Sequence, residues 1–489
     1  MLESLQERTR ATLMLFPALL ARLGVVDREK GSRAFDLAVP VMVTGGMRTL
    51  LRVADFFMVG IALGESAVAA LEFGFQYYFI PFGLALALTS GTISVVSRFK
   101  GAEDHRRADF AIKQSLWLSL LVSIPITAAT WVYAEPLIDV LTNDARAIEL
   151  GAVYLRIVML SVVFRFWSMI AARALAGSGD TRTPMYVRLL TLPTNIVLNA
   201  LLIFGLLGFP KLGIAGAAWG TAAANALAAT IFFALLVSGR RDVRLRLGGK
   251  QWDTDVAAEI VRVGLPLAGT RLSRTLGRFP FLFILAVLGT EVVAAYAIGR
   301  RVILLALMPA WGYSTASSTL VGQSIGAGEE EEADAYGWET LRIALVTQLL
   351  IAVVLVAAAR HISLAFGAGN VALTTTFVRV FGLGVAGFSI ARTFRGALRG
   401  AGDTRWPFYG GLLGTYLVRL PLAAVALPAG YTLSAFGVTV APGLGLGLLA
   451  VFAAILADMY ARALVNGVRY WSDAWKDVAR NSDVGGTAD

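Results

Sequence analysis

The segment ALAGSGDTRTPM at residues 174–185 returns as ALRGAGDTRWPF at residues 397–408, with eight identities in twelve positions and no gap. Earlier in each half, LGESAVAALEFG at residues 63–74 returns as LGTEVVAAYAIG at residues 288–299. Self-similarity that recurs at nearly fixed spacing indicates an internal duplication. The sequence therefore predicts two copies of one structural unit.

The composition indicates that both copies lie in a membrane. Of the 489 residues, 57% are hydrophobic and only 16% are charged, which is far more apolar than soluble domains are. Apolar runs long enough to cross about 30 Å of hydrocarbon recur along the chain, with short polar joints between them. These runs predict twelve spans, near residues 34–62, 65–95, 108–133, 145–172, 184–207, 212–238, 258–287, 292–320, 336–359, 370–395, 406–430 and 441–468.

The number of spans per copy predicts the symmetry. Because six is even, both copies have the same orientation, so we predict an all-α polytopic membrane protein with two six-helix lobes related by pseudo-two-fold symmetry along the membrane normal. Basic residues concentrate in loops after even-numbered spans, which places both termini in the cytoplasm of a protein of the cell membrane. The predicted domains are an N-terminal cytoplasmic segment with an interfacial helix (1–33), the N-terminal lobe (34–240), a basic inter-lobe linker (241–257), the C-terminal lobe (258–468) and a cytoplasmic tail (469–489).

Missing residue types exclude most enzyme chemistry. The chain has no cysteine, and its two histidines, His105 and His361, fall in predicted loops on opposite sides of the membrane. A cysteine or histidine metal site and a histidine-based triad are therefore not expected, and we predict neither an enzyme nor a resident cofactor. No glycine-rich Walker sequence is present, so nucleotide binding is not expected. The net charge of +10 is densest in the basic linker, where membrane topology rather than nucleic acid explains it.

Beyond these patterns, the chain resembles a known family over about residues 34–470. The residues that carry the resemblance are RALAGSGDTRTPM, NIVLNALLIFGLLGFPKLGIAGAAWGT at 195–221, and the second-half ALRGAGDTRWPF followed by RLPLA from Arg419. They resemble multidrug and toxic compound extrusion (MATE) transporters. The resemblance implies a central V-shaped cavity and export of small organic compounds by alternating access, in exchange for sodium ions or protons. We expect a monomer whose partners are an organic substrate and membrane lipid.

The resemblance also implies which residues bind the coupling ion. Asp55 matches the first-span acid that the family uses, with Glu72 as a second candidate, and Asn195, Asn199 and Thr221 complete the set. Carboxylate, amide and hydroxyl oxygens suit a hard cation such as sodium, so these residues predict a possible sodium site. Asn199 departs from relatives that have aspartate there, and Arg274 stands where other relatives have glutamate, which leaves the choice of ion open.

Arginines inside the spans favour a different substrate. Charged groups in hydrocarbon are costly and usually face a cavity or each other. Arg52 lies within one turn of Asp55, so either the two form a structural ion pair or the arginine faces the cavity. We predict a substrate cavity lined by Arg48, Arg52, Gln76, Arg165, Arg188, Arg274 and Arg278. Guanidinium groups bind carboxylate and phosphate, so the alternative function is export of organic anions or flipping of a lipid-linked anionic headgroup.

Overall fold

The computed structural model describes the backbone of residues 2–63, 65–139, 145–366, 369–435 and 438–481. Side chains are described over the same ranges except at 2–11, 48–50, 52–57, 59–61, 63, 65–69, 72, 73, 75, 76, 79, 80, 147, 271, 272, 274, 275, 290, 433–435 and 438–440.

The first half of the chain folds into eight helices. They are α1 (Leu2–Arg22), α2 (Arg28–Leu63), α3 (Glu65–Gly101), α4 (His105–Asp139), α5 (Ala145–Leu160), α6 (Val162–Gly177), α7 (Arg182–Phe204) and α8 (Ile214–Val237). Gly205 ends α7 in the left-handed conformation, with φ of 72°, which a residue without a Cβ adopts without strain.

The second half repeats this order with more breaks. Its helices are α9 (Thr254–Leu276), α10 (Arg278–Leu288), α11 (Thr290–Ala306), α12 (Met308–Gly326), α13 (Glu330–Ala365), α14 (Val371–Gly400), α15 (Arg405–Leu412), α16 (Leu420–Ala424), α17 (Gly447–Trp471) and α18 (Ala474–Arg480). A π-helical turn over Leu413–Arg419 joins α15 to α16. Two short antiparallel strands, β1 (Leu433–Ala435) and β2 (Val438–Val440), follow α16.

The helical architecture confirms the predicted fold class, since helix occupies each of the twelve predicted spans. Among the described residues, seven helices are by themselves long and apolar enough to cross a membrane, and nine spans result when each bent pair is taken as one. The bent pairs are α5 with α6, at 46°, and α11 with α12, at 43°. The protein is therefore a multi-pass membrane protein.

The last two spans differ from their predicted limits. The eleventh ends at Ala424 rather than 430, and the twelfth begins at Gly447 rather than 441. Strands β1 and β2 lie between these spans. The two stretches wrongly assigned to helix, 425–430 (VALPAG) and 441–446 (APGLGL), are apolar but contain proline and glycine, which end a helix.

The chain folds into two compact units. The N-terminal unit is Pro40–Ala268, and the C-terminal unit is Met1–Val39 together with Gly269–Asp489. The beginning of α2 therefore packs within the C-terminal unit, and the beginning of α9 packs within the N-terminal unit. Pro40 and Pro266, which correspond in the repeat, lie at or near the two points where the chain changes unit.

Specific contacts hold the beginning of each of these helices. In the N-terminal unit, a Cβ at Gly264 of α9 would lie 2.3 Å from the carbonyl oxygen of Ala87 on α3, so the helices approach closely. Arg98 of α3 donates to Glu259 of α9 at 2.7 Å. In the C-terminal unit, the backbone N–H of Asp27 donates to Glu339 at 2.8 Å, and its neighbours bond α13 by the pairs Lys30–Glu332 and Arg33–Tyr336.

The duplicated GDTR loops have the same local structure. Gly179 and Gly402 have φ of 97° and 87°, so both turns use the freedom of glycine. A Cβ at Gly177 would lie 3.0 Å from the carbonyl oxygen of Ile93, and one at Gly400 would lie 2.6 Å from that of Ser318. Asp180 accepts the backbone N–H of Thr183 at 2.8 Å and so caps α7. The loops are tight helix connections packed against α3 and α12.

The basic linker is bound to the N-terminal unit rather than free. Asp109 of α4 accepts the backbone N–H of Arg244 at 2.8 Å and Nε of Arg246 at 2.9 Å. One turn further along α4, Lys113 donates to the carbonyl oxygen of Gly248 at 2.8 Å. These bonds satisfy linker backbone groups that have no partner in regular secondary structure.

Candidate functional site

A cavity of about 100 Å³ lies inside the N-terminal unit, among the helices that follow α2. Its wall combines apolar side chains with a few polar groups, which is typical of small-molecule sites. It is lined by Leu51, Leu71, Tyr78, Phe82, Tyr154, Met169, Leu192, Ala217 and Ala224, together with the polar residues Arg165, Arg188, Thr191, Asn195, Asn199, Thr221 and Asn225.

Two asparagines of α7 form the most buried polar group of this wall. Asn195 and Asn199 are 3% and 0% exposed, and Nδ2 of Asn199 donates to Oδ1 of Asn195 at 3.2 Å. The spacing of four residues puts both side chains on one face of α7. Thr221 of α8 lines the same cavity, so amide and hydroxyl oxygens from two helices face one space.

Glycine on α8 makes room for this pair. A Cβ at Gly220 would lie 2.0 Å from Oδ1 of Asn199, and one at Gly216 would lie 2.4 Å from the carbonyl oxygen of Leu202. The spacing of these glycines is the small-residue pattern that lets membrane helices approach closely. The sequence GIAGAAWGT thus sets the separation of α7 from α8 and the width of the cavity.

A second polar group centres on Tyr78 of α3. Its hydroxyl accepts from Arg165 at 3.2 Å and from Nδ2 of Asn225 at 3.2 Å, and Asn225 also donates to Ser161 at 3.1 Å. The guanidinium of Arg165 lies 4.9 Å from the Tyr78 ring centroid and 5.2 Å from that of Phe82. Cation–π contacts of this kind are strongest where water is excluded.

The cavity is electrostatically positive in the described part of its wall. The charged residues that line it there are Arg165 and Arg188. Their like charges repel each other, which makes burying both guanidinium groups less favourable. Two cations in an apolar wall attract an anion or an electron-rich group, since Coulomb interactions are strong at low dielectric. The described wall therefore combines neutral oxygen donors at one place with positive charge at another.

The structure brings together five of the residues selected from the sequence, which are Asn195, Asn199, Thr221, Arg165 and Arg188. Arg278 lies on α10 in the C-terminal unit, where Arg300 and Arg419 are among the described charged groups that act on it. The side chains of Asp55, Glu72, Arg48, Arg52, Gln76 and Arg274 lie outside the described residues, so the roles assigned to them stay predictions. No cluster of three His, Cys, Asp or Glu side chains that could hold a metal occurs in the part of the chain that the structure describes.

Sequence reasoning missed other lining residues. Asn225 is 8% exposed on an otherwise apolar helix, which is the signal that an intramembrane polar residue gives. Tyr78 stands in the aromatic run FGFQYYF, where packing is the more frequent use of an aromatic side chain. The hydrogen bonds of Tyr78 could not be predicted, because its partners on α6 and α8 are far from it in sequence.

Comparison with known proteins gives a consistent result. A family model described as MatE matches residues 40–201 and 266–425. The chain is 28% identical over 446 residues to the probable multidrug resistance protein NorM of Thermotoga maritima, covering 90% of this chain and 92% of that one. It is 27% identical over 449 residues to the protein of the same name from Mesorhizobium japonicum, covering 89% and 94%.

Solved structures share the fold. A MATE structure in the bent conformation superposes with a TM-score of 0.83 at 22% identity, covering 93% of this chain and 97% of that one. A MOP superfamily transporter from Pyrococcus furiosus, described as having a binding pocket of reverse polarity, superposes with a TM-score of 0.79 at 21% identity, covering 94% and 97%.

Proposed function

The chain belongs to the MATE family of multidrug efflux transporters, and on that premise we propose that it exports small organic compounds in exchange for sodium ions or protons. It is a transporter and not an enzyme. The observation that carries the finer proposal is the polar cavity of the N-terminal unit, where Asn195, Asn199 and Thr221 line one space. No cofactor besides the coupling ion enters the proposal, and we place both termini in the cytoplasm and the protein in the cell membrane as a monomer.

The oxygens of this wall are suited to a weakly held cation. Amide and hydroxyl oxygens are hard ligands that sodium accepts, and a neutral set binds it less tightly than several carboxylates would. We propose that Asp55 supplies the carboxylate of the cation site. The resemblance to MATE transporters selects this residue, and it stands four positions after Leu51, which lines the cavity. A carboxylate in an apolar lobe couples ion binding to conformation because its charge is costly until a cation or proton balances it.

The experiment that tests coupling compares the intact protein with Asp55→Asn in proteoliposomes. Uptake of a fluorescent organic cation is measured with an imposed sodium gradient, with a proton gradient and with none. We expect gradient-driven transport by the intact protein, its loss in Asp55→Asn, and normal transport in the control Asp255→Asn, whose side chain is exposed near the start of α9. Normal gradient-driven transport by Asp55→Asn would remove the coupling assignment and support the ion pair with Arg52.

A second candidate function follows from Arg165 and Arg188. Both line the cavity, so we propose as the alternative that the cargo is an organic anion or an anionic lipid-linked headgroup. The reverse pocket polarity described for the Pyrococcus furiosus transporter supports a change of substrate charge on this fold. Under this alternative, anionic dyes are transported and cationic dyes are not, and Arg165→Gln lowers the apparent affinity for the anion.

A further inference from the structure

The C-terminal unit contains a second group of charges deep in its last spans. On α17, Nε of Arg462 donates to Oδ1 of Asp458 at 2.7 Å, and the spacing of four residues places the two on one face of the helix. Nη2 of Arg462 donates to the hydroxyl of Thr415 at 2.7 Å. Its third nitrogen, Nη1, is buried and has no hydrogen-bond partner among the described residues. Two nitrogens of this guanidinium thus have hydrogen-bond acceptors, and the third has none among the described residues.

The π-helical turn lies directly against this pair. It contains Thr415 and Gly414, and a Cβ at Gly414 would lie 2.5 Å from Oδ1 of Asp458. A Cβ at Gly411 would lie 3.9 Å from Nη1 of Arg462, so the backbone of α15 passes close to that buried nitrogen. π-Helical turns are rare and occur frequently at functional sites because they change which side chains face a neighbour.

A second guanidinium next to this pair has no counter-charge among the groups that the structure describes. The charged groups that act on Arg395 of α14 are Arg392 and Arg462, and both are cations. Nε of Arg395 is buried and donates to no partner within the described part of the chain. Arg392 stacks over the ring of Trp311 at 4.2 Å from its centroid. Positive charge and an aromatic ring therefore occur side by side.

The charge of this group is out of balance. Arg395 and Arg462 stand beside one described carboxylate, Asp458, in spans where an uncompensated charge is costly. Intramembrane charges are retained where they pair or where they bind something. We propose that Arg395 and Arg462 form a binding site for an oxyanion, the carboxylate or phosphate group of a ligand, within the C-terminal unit.

The chemistry of the group matches such a ligand. Each guanidinium presents parallel N–H groups that bind the two oxygens of a carboxylate or phosphate together. The buried nitrogens Nε of Arg395 and Nη1 of Arg462 supply donors that nothing else in the described structure accepts. Trp311 offers a flat surface to an organic acid. The ligand is a free organic anion or the headgroup of an anionic lipid, and the inference does not depend on the coupling ion or on the cavity of the N-terminal unit.

Thermal unfolding of the purified full-length protein in neutral detergent tests the site. Sodium benzoate is titrated against sodium chloride at equal ionic strength, and the unfolding midpoint is followed by tryptophan fluorescence. A ligand that binds only the folded state raises the midpoint by mass action, so we expect a saturable rise of about 2 °C or more with benzoate. Arg395→Gln should remove this rise. Without benzoate its midpoint should equal or exceed that of the wild type, because an unbalanced buried cation is lost.

Three variants make the result specific. Arg395→Lys keeps the charge without the planar fork and should show a weakened rise. Arg360→Gln, an exposed arginine on α13, should keep the full rise. Arg165→Gln, in the cavity of the N-terminal unit, should also keep it. If Arg165→Gln removes the rise and Arg395→Gln does not, the anion binds in the other unit and the inference is wrong.

The source of the anion is distinguished in lipid. In bilayers of phosphatidylcholine the benzoate effect should persist, and adding phosphatidylglycerol should abolish it if the site takes a lipid headgroup. Persistence with phosphatidylglycerol present identifies a free organic anion as the ligand. A wild-type midpoint that responds neither to benzoate nor to phosphatidylglycerol would overturn the inference.

Discussion

Loss of the carboxylate of Glu259 should strongly destabilise the protein. Arg98 is fully buried on α3 and donates to Glu259 at 2.7 Å, while the Glu259 side chain is 21% exposed. Removing one partner of a buried ion pair typically costs 3–5 kcal/mol, because a charge remains without its counter-charge. The partial exposure of Glu259 places Glu259→Ala near the lower limit, at about 3 kcal/mol. Glu259→Gln keeps a neutral acceptor and should cost about half as much.

The internal repeat suggests a double variant that should restore the lost stability. Arg33 corresponds to Glu259, Gln323 corresponds to Arg98, and Nη2 of Arg33 lies 3.5 Å from Oε1 of Gln323. The C-terminal unit thus fills the same positions without an acid. The double variant Arg98→Gln with Glu259→Arg transplants that solution. It should recover most of the stability that Glu259→Ala loses, since no buried charge is left alone.

The assay is unfolding in mixed detergent micelles titrated with sodium dodecyl sulfate, followed by tryptophan fluorescence. The free energies of Arg98→Leu, of Glu259→Leu and of the variant with both changes close a double-mutant cycle with the wild type. The apolar double variant should lie within about 1 kcal/mol of the wild type, because apolar replacement of a buried pair is often neutral. The reasoning would be refuted if the free energy of unfolding of Glu259→Ala lay within about 0.5 kcal/mol of the wild-type value. It would also be refuted if the variant with Arg98→Gln and Glu259→Arg were as unstable as Glu259→Ala.

Two further changes test the linker and the cavity. Asp253 caps α9 by accepting the backbone N–H of Val256 at 3.2 Å, so Asp253→Ala should cost about 1 kcal/mol and Asp253→Asn much less in the same titration. Its hydrogen bond with Lys250 lowers the pKa of Asp253, so this contribution is present above the pKa of the unfolded chain and is lost as pH falls through the folded value. Gly220→Ala would place a Cβ 2.0 Å from Oδ1 of Asn199, so it should cost about 1–3 kcal/mol and abolish transport. The control Gly83→Ala, which meets nothing within 4 Å, should unfold and transport normally.

The sequence predicted those features that depend on local spacing and polarity. Asn195 and Asn199 are four residues apart on one helix, so their common face followed from helix geometry. Asp458 and Arg462 are also four residues apart, and the same geometry accounts for their ion pair. Arg165 and Arg188 stood out because charge is rare inside spans, and that rarity also indicated a cavity. Helix limits failed where an apolar run continues through proline and glycine, as it does at residues 441–446 before Gly447.

Packing between distant segments could not be predicted from the same signals. The repeat shows which residues correspond, but it does not show that the beginning of α9 packs within the N-terminal unit. That assignment depends on the close approach at Gly264 and on the pair of Arg98 with Glu259, which lie 161 residues apart. Tyr78 was likewise visible only as an aromatic residue, because its partners come from α6 and α8.

The last two spans of the two copies carry different chemistry. In the first copy, α7 and α8 present neutral groups, Asn195, Asn199 and Thr221, to a cavity. In the second copy the corresponding helices carry Asp458 and Arg462 beside a π-helical turn. Neutral oxygens can bind and release a cation. Guanidinium groups stay protonated at any working pH, so they cannot release a proton to drive transport. We therefore propose that the coupling ion binds in the first copy, whereas the anion site proposed above lies in the second. Asp55→Asn should then abolish the gradient dependence of transport without changing the response to benzoate, and Arg395→Gln should do the reverse.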